Sequence, residues 1–311
     1  MSPTPLVSVI LPTYNRATTL DRAVRSVLDQ TFRDFELLIV DDGSTDESHC
    51  ILEQYSGFPS VRVISSIHRG CSAARNIGVM ASTGPLIAFQ DSDDEWLPNK
   101  LEKAVAALSV AGSGVGVFYS NMIRVHEDGR SSDWRSPDVC RGVLVSETTL
   151  DYQVAGIGIQ SAVIRRTCFA QAGLFDEALR RFIDLDLFVR LSEHSDFQHH
   201  DDALVRYHVG PGISTDIQAT ILARRYLIAK YRHRLRVQRH HLAFQYLLLA
   251  DALRMNGSRY RSRALAVAAL LRSPATPRVR RKAADILRVT SMRYFVLSRI
   301  RRWFGDVKSI L

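Results

Sequence analysis

LIAFQDSDD, residues 86–94, decides the fold. Leu86–Phe89 is a short apolar run suited to a buried strand, and it ends in Gln90-Asp91-Ser92-Asp93-Asp94. Upstream, Phe35–Val40 (FELLIV) ends in the same manner, in Asp41-Asp42-Gly43-Ser44. In an open parallel sheet, ligands bind beyond the carboxyl ends of the strands. Both acidic clusters sit there. Crowding carboxylates into one crevice is unfavourable unless something positive joins them. Mg²⁺ or Mn²⁺ takes oxygen ligands and bridges carboxylates to a diphosphate. The other reading makes these acids exposed loop carboxylates that cap helices; finding them at successive strand ends argues against it.

Outward from these strands the chain alternates. Leu6–Leu11 reads as a buried strand. TTLDRAVRSVLDQ carries Leu20, Ala23, Val24, Val27 and Leu28 at helical spacing, with Thr18 or Thr19 as its cap. A helix over about Asp46–Tyr55, a strand at Val61–Ile64, a helix over Ser72–Met80 and a helix over Pro98–Ser109 with Pro in its first turn follow. This alternation predicts an α/β protein: a mostly parallel sheet flanked by helices. After Val115 the regularity falls. Val115–Val125 reads as a strand, Glu127-Asp128-Gly129 as a hairpin turn and Val143–Val145 as a short strand. Asp176–Ser192 includes an amphipathic helix. From Asp216 the pattern is helical, with a pair of short helices around Tyr260–Leu271.

Charge divides the chain at the same point. From Asp216 onward there are 22 Lys and Arg against 4 Asp and Glu, whereas the preceding residues carry 19 against 28. We therefore expect two regions with different jobs, one over 1–215 and a basic helical C-terminal region over 216–311. The four cysteines, Cys50, Cys71, Cys140 and Cys168, are too scattered for a zinc or redox motif. No run approaches the roughly 20 apolar residues of a spanning helix, and the N-terminus does not read as a signal peptide. A cytoplasmic protein is expected. MRYFVLSRIRRWFGDVKSIL (Met292–Leu311) interleaves aromatic and basic residues in a way that suits an anionic membrane surface, which would make it peripheral on the inner face of the membrane. The alternative is that its apolar residues pack on the protein and its arginines are merely solvated. Nothing points to nucleic acid beyond charge.

Four stretches in order, VSVILPTYNR (7–16), LLIVDDGSTD (37–46), SAARNIGVMASTGPLIAFQDSDD (72–94) and FIDLDLFVRL (182–191), resemble family 2 glycosyltransferases with the GT-A fold. The match covers roughly residues 6–215 and implies that 1–215 is a catalytic domain with a nucleotide-binding half (about 1–115) and an acceptor half (about 116–215).

The resemblance implies roles for particular residues. Pro12, Tyr14 and Asn15 would lie against the nucleotide base, where a Tyr can stack on the base face. Asp42 would accept a hydrogen bond from base or ribose; its other reading is a turn-forming Asp before Gly43. Arg75 would lie near the nucleotide or its phosphates, or else pair with a carboxylate on the helix surface. Asp93 would be the metal ligand, with Asp91 on the ribose or on the metal through water, and Asp94 would orient the following loop. Asp184 would be the catalytic base, its other reading being a carboxylate stabilised by a helix N-terminus. The family's Glu-Asp-x-Asp reads Ile183-Asp184-Leu185-Asp186 here, so the Glu is replaced. His208 would approach the metal or diphosphate. His68 stands where the family often has Asn.

The implied activity is transfer of a sugar, with inversion, from a nucleotide diphosphate donor to an acceptor hydroxyl. A UDP-sugar is the leading donor, a divalent metal (Mn²⁺ or Mg²⁺) the cofactor, and a saccharide or lipid-linked molecule of surface polysaccharide or glycolipid synthesis the acceptor. A nucleotidyltransferase would need a Gly-rich, basic N-terminal loop, which LPTYNR is not. A non-catalytic GT-A-like scaffold is the alternative, and intact Asp42, Asp91, Asp93 and Asp184 argue against it.

Overall fold

The computed structural model describes residues 4–210, 215–237 and 239–287. Contacts divide the chain into two units, one of residues 1–143 and 154–210 and the other of Leu144–Gln153 and 211–311.

The first unit is built on a nine-stranded sheet. Its strands are β1 (Val7–Thr13), β2 (Phe35–Asp41), β3 (Val61–Ser65), β4 (Leu86–Phe89), β5 (Glu95–Trp96), β6 (Val115–Val125), β7 (Ser131–Trp134), β8 (Val163–Arg165) and β9 (Asp196–His208). They lie in the order β3-β2-β1-β4-β8-β6-β9-β5, with β7 paired to β6. The portion β3-β2-β1-β4 is wholly parallel. β8 then joins antiparallel to both β4 and β6, while β6 and β9 run parallel.

Every residue of β1 is buried, as expected of a central parallel strand covered on both faces. Helices α1 (Leu20–Leu28), α2 (Ser48–Tyr55), α3 (Cys71–Ala81), α4 (Lys100–Val110), α5 (Arg166–Ala172) and α6 (Ile183–Ser192) supply the cover. The face of α1 read from its spacing, Leu20, Ala23, Val24 and Val27, is buried. α3 approaches β1 closely because residue 78 is Gly: a Cβ there would fall 2.4 Å from Ile10 Cγ2.

Several local expectations change. The Thr19 hydroxyl does not cap α1; it donates to the Ser92 carbonyl at 2.8 Å, tying the helix start to the second acidic loop. Pro98 lies before α4, and its carbonyl accepts from Thr31 N at 2.8 Å. Val143–Val145 makes only an isolated bridge, Val145 to Tyr152. β8 and α5 have three and seven residues, too short to declare a period. β9 is masked by its composition, DFQHHDDALVRYH, in which only Leu204 and Val205 are buried.

The second unit contains α7 (Ile217–Lys230), α8 (Arg232–Val237), α9 (Arg239–Met255), α10 (Arg259–Arg272) and α11 (Pro277–Leu287). The Asp216 carboxylate caps α7 by accepting from Ala219 N at 3.0 Å. α9 buries Leu242, Ala243, Tyr246, Leu247, Leu249, Ala250 and Leu253 along its length. The Tyr260–Leu271 segment is a single helix, α10, rather than a pair. No helix among the described residues is long and apolar enough to cross a membrane. Met292–Leu311, the expected membrane-facing tail, lies outside the described residues.

Candidate active site

The carboxyl ends of β1, β2, β4 and β9, helix α3 and the start of α6 carry the residues singled out from sequence. At the end of β1, Pro12 is buried inside the strand, in register with Val40. Tyr14 and Asn15 follow as exposed residues. Asn15 has φ 51°, a left-handed conformation that Asn tolerates better than most residues. Its amide N–H donates to Ser44 Oγ at 3.0 Å, and its side-chain oxygen accepts from Thr45 N at 2.8 Å. Asn15 thus joins the loops after β1 and β2. The Tyr14 ring stacks on His68, with centroids 4.0 Å apart and planes at 26°.

Asp42 is 2% exposed, and its carboxylate is engaged by the loop that leads into α3. Oδ1 accepts from Arg69 N at 2.9 Å, and Oδ2 from Gly70 N at 2.8 Å. His68 Nδ1 lies 2.9 Å from Oδ2. Gly70 adopts φ 99°, which turns its N–H onto the acid and which a side chain would disfavour.

At the end of β4 the acids are held differently. Asp91 is ion-paired with Arg75, whose side chain is 4% exposed. Asp93 pairs with Arg16 at 3.1 Å, and its carbonyl accepts from Arg22 at 2.6 Å. Burial and the adjacent Asp91 charge push the Asp93 carboxyl above its usual range, with Arg16 opposing. Asp94 is buried, and burial followed by the charges of Asp91 and Asp93 raises it well above that range. It accepts from Gln160 Nε2 and from His208 N, each at 2.8 Å, so it fixes this loop to β9 and to the turn at Ile159–Ser161.

The remaining acid arrives from a distant part of the chain. Asn76 of α3 accepts from Phe175 N at 2.9 Å and donates to Phe175 O and Glu177 Oε1, both at 3.0 Å. Arg69 pairs with Glu177 at 2.9 Å. These bonds dock the approach to α6 against α3. Phe182, at φ 59°, then sets the entry to the helix, an uncommon conformation for a bulky residue. Asp184 follows in the first turn, where Oδ1 accepts from Leu185 N at 2.9 Å. Burial raises its pKa; the positive charge of Arg75 opposes this, and Asp91 adds to it. Arg75 itself stays charged: burial works against it, but Cys71, Asp91 and Asp184 outweigh that. Asp184, Arg75, Asp91 and Asp93 therefore form one electrostatic group.

Asp186 does not join them. It is fully buried, and Arg190 grips it through Nε and Nη2, both at 3.0 Å. Arg190 also donates to the carbonyls of Ala172, Gly173 and Leu174. The second acid of the IDLD motif thus fastens α6 to the end of α5.

His208 lies with its Nε2 2.7 Å from Glu95 Oε1 and its backbone N–H on Asp94. Arg16, Arg22, Glu95 and Gln160 also shape the site, though sequence reading did not single them out. Arg16 closes the LPTYNR stretch beside Tyr14 and Asn15 and was legible as a cation beyond a strand end. Gln160 had no such signal, because only folding brings its helical turn to Asp94.

Asp91 and Asp93 fit a hard divalent cation. Both are partly exposed oxygen donors, and their mutual repulsion is a reason for a positive charge to bind. Arg75 and Arg16 supply positive charge to them in this structure.

The model of the Glycosyl transferase family 2 matches residues 8–179, more than half of the chain, and the protein belongs to that family. A glycosyltransferase of Rickettsia felis is 28% identical over 211 residues, covering 67% of this chain and 35% of that protein. A chondroitin synthase of Escherichia coli is 32% identical over 198 residues, 63% of this chain and 28% of its own. The alignments thus span about a third of these longer relatives. Among solved structures, S. aureus TarS 1–349 in complex with UDP-GlcNAc superposes with TM-score 0.55 at 18% identity, covering 97% of this chain and 91% of that one. The mannosyltransferase PcManGT from Pyrobaculum calidifontis, in complex with GDP-Man and Mn²⁺, gives TM-score 0.55 at 17% identity, covering 99% and 87%. The fold is GT-A.

Proposed function

We propose that the protein transfers a sugar, with inversion, from a nucleotide diphosphate donor to an acceptor hydroxyl, and that Asp184 is the general base. The observation that carries this is the grouping of Asp184 with the Arg75–Asp91 pair and Asp93. A base needs a pKa nearer the working pH than an ordinary carboxylate's, and burial moves Asp184 that way. Its place in the first turn of α6 keeps it fixed.

In this reading Asp184 takes the proton of the acceptor hydroxyl while that oxygen bonds to the anomeric carbon. The bond to the donor's phosphate oxygen breaks in the same step. No covalent intermediate forms on the protein. Arg75 stays charged beside the reaction and favours the negative charge that builds on the departing diphosphate. Tyr14 offers a ring face to the base, with Pro12 as the strand beneath and Asn15 holding the loop shape. Asp42 keeps the His68–Gly70 loop in place and retains acceptor capacity for base or ribose. Asp93, with Asp91, would hold a divalent cation, Mn²⁺ or Mg²⁺, with His208 nearby; bound there, it would neutralise charge on the diphosphate.

A UDP-sugar is the donor we assign. Support comes from the UDP-GlcNAc complex of TarS, while the GDP-Man complex of PcManGT makes guanosine the base to test against it. We assign a saccharide or lipid-linked acceptor of surface polysaccharide or glycolipid synthesis. An E. coli relative, 37% identical over 116 residues, is named a UDP-Glc:alpha-D-GlcNAc-diphosphoundecaprenol beta-1,3-glucosyltransferase, which supports a lipid-linked one. The basic tail would then serve to meet an anionic membrane. The test is release of nucleoside diphosphate from a panel of nucleotide sugars with and without Mn²⁺. Release that needs the cation and is lost in Asp93→Ala supports the reading. No turnover and no nucleotide binding by calorimetry would sink it.

A further inference from the structure

The helical unit holds a second group of donors that the proposed transfer does not use. Glu147, His240 and His241 present ligand atoms that all lie within 4.8 Å of one another. Glu147 comes from the Leu144–Gln153 segment, and the two histidines open α9. His240 Nε2 lies 3.2 Å from Glu147 Oε2, and His241 Nε2 lies 3.2 Å from Glu147 Oε1.

Neighbouring residues of a helix point about 100° apart, so they do not ordinarily converge on one partner. Here both rings do, with centroids 4.2 Å apart. Moreover, His241 is 5% exposed, and its Nε2 lies 3.2 Å from a carboxylate oxygen, so a nearly buried imidazole and a carboxylate, both ligand types for a divalent cation, are already held together.

We propose that Glu147, His240 and His241 form a Zn²⁺ site that fastens the Leu144–Gln153 segment to the start of α9. Zinc bonds imidazole nitrogen and carboxylate oxygen at about 2.0–2.2 Å, and a tetrahedral arrangement then puts neighbouring ligand atoms about 3.3 Å apart. The two Glu–His spacings of 3.2 Å are near that value but run to different oxygens of Glu147, so binding through one oxygen takes a small rotation of the carboxylate. Two nitrogens and one oxygen suit zinc and exclude the hard Mg²⁺, which takes oxygen donors. The fourth position is open to water. The same segment is already joined to α9 by Gln245 Nε2, which donates to Asp151 Oδ1 at 3.0 Å, so the ion would reinforce an existing seam. A further triplet, Glu47, His49 and Cys50, is exposed and confined to the start of α2, with His49 and Cys50 bonded to Asp46 and Glu47, and it carries no such argument.

The test uses the untagged full chain, stripped with chelator and kept in excess Mg²⁺ so that a cation at the donor site is not counted. Zn²⁺ is titrated by calorimetry, and Co²⁺ is added separately as a visible probe. We expect one Zn²⁺ per chain, tetrahedral Co²⁺ absorption bands, and a thermal midpoint raised by about 5 °C at hundredfold excess over Kd. Glu147→Gln and His240→Gln, both on partly exposed side chains, should each weaken binding at least tenfold, with the fold unchanged by circular dichroism. His241→Gln should do the same if it folds. The absence of stoichiometric Zn²⁺ uptake, or uptake that ignores Glu147→Gln and His240→Gln, would overturn the site. Neither result bears on nucleotide-sugar turnover, which depends on other residues.

Discussion

The two acidic strand ends look alike in sequence and are held by different means. After β2, Asp42 is satisfied by backbone N–H groups and a histidine that belong to the loop it shapes. After β4, Asp91 and Asp93 are balanced by arginine side chains and still repel one another. The two clusters are therefore neutralised by different means: backbone donors hold Asp42 in the loop it shapes, whereas arginine side chains offset Asp91 and Asp93, whose remaining repulsion an added cation would relieve.

The sharpest way to break this comparison lies with the acid that faces the β4 cluster. Asp184→Asn should lower kcat by about 10²–10⁴-fold while leaving nucleotide affinity by calorimetry within about twofold. Wild-type turnover from this variant would remove Asp184 as the base. The wild-type pH profile offers a related check. Because burial raises the Asp184 pKa, Asp184 is protonated at a higher pH than a free carboxyl, and in its proposed role as base it should make kcat/KM fall as pH falls while still above the ordinary carboxylate value of about 4. A profile flat down to that value would oppose the assignment.

Arg75→Met should cost about 3 kcal/mol of stability in urea unfolding, since it strips the cation from a mostly buried pair. It should also move the acid limb of the profile to higher pH, because Arg75 is what holds the Asp184 pKa down. An unmoved limb would separate Arg75 from the base. At the other strand end, Asp42→Ala leaves the Arg69 and Gly70 N–H groups without their acceptor. The expected cost is about 1–3 kcal/mol, with KM for the donor raised and kcat little changed. The smallest effect belongs to Arg16→Gln. Both partners of its pair with Asp93 are more than a third exposed, and such pairs contribute about 0–1 kcal/mol. A thermal melt should barely register it. A large loss there would show that the Asp93 pair is as structural as the bonds around Asp42.

Sequence alone determined the alternation of β1 to β4 with their helices, because a buried parallel strand must be almost wholly apolar and an amphipathic helix must repeat at 3.6 residues. It also determined that two acidic clusters lie at one edge of the sheet, since parallel strands place all their carboxyl ends together. Family resemblance added Asp184. Other features came only from tertiary structure. β8 and β9 enter the sheet through pairing partners that neither short length nor polar composition announces. Asp184 and Asp186 look interchangeable in a run of ten residues. One joins Arg75 and the other is clamped by Arg190 because the Asn76 and Arg190 bonds set how α6 sits against α3 and α5. Glu147 meets His240 and His241 across more than ninety residues of chain. Periodicity reports which face of an element is buried. Which side chains from distant elements share a few ångströms of space depends on long-range packing, and no local pattern encodes it.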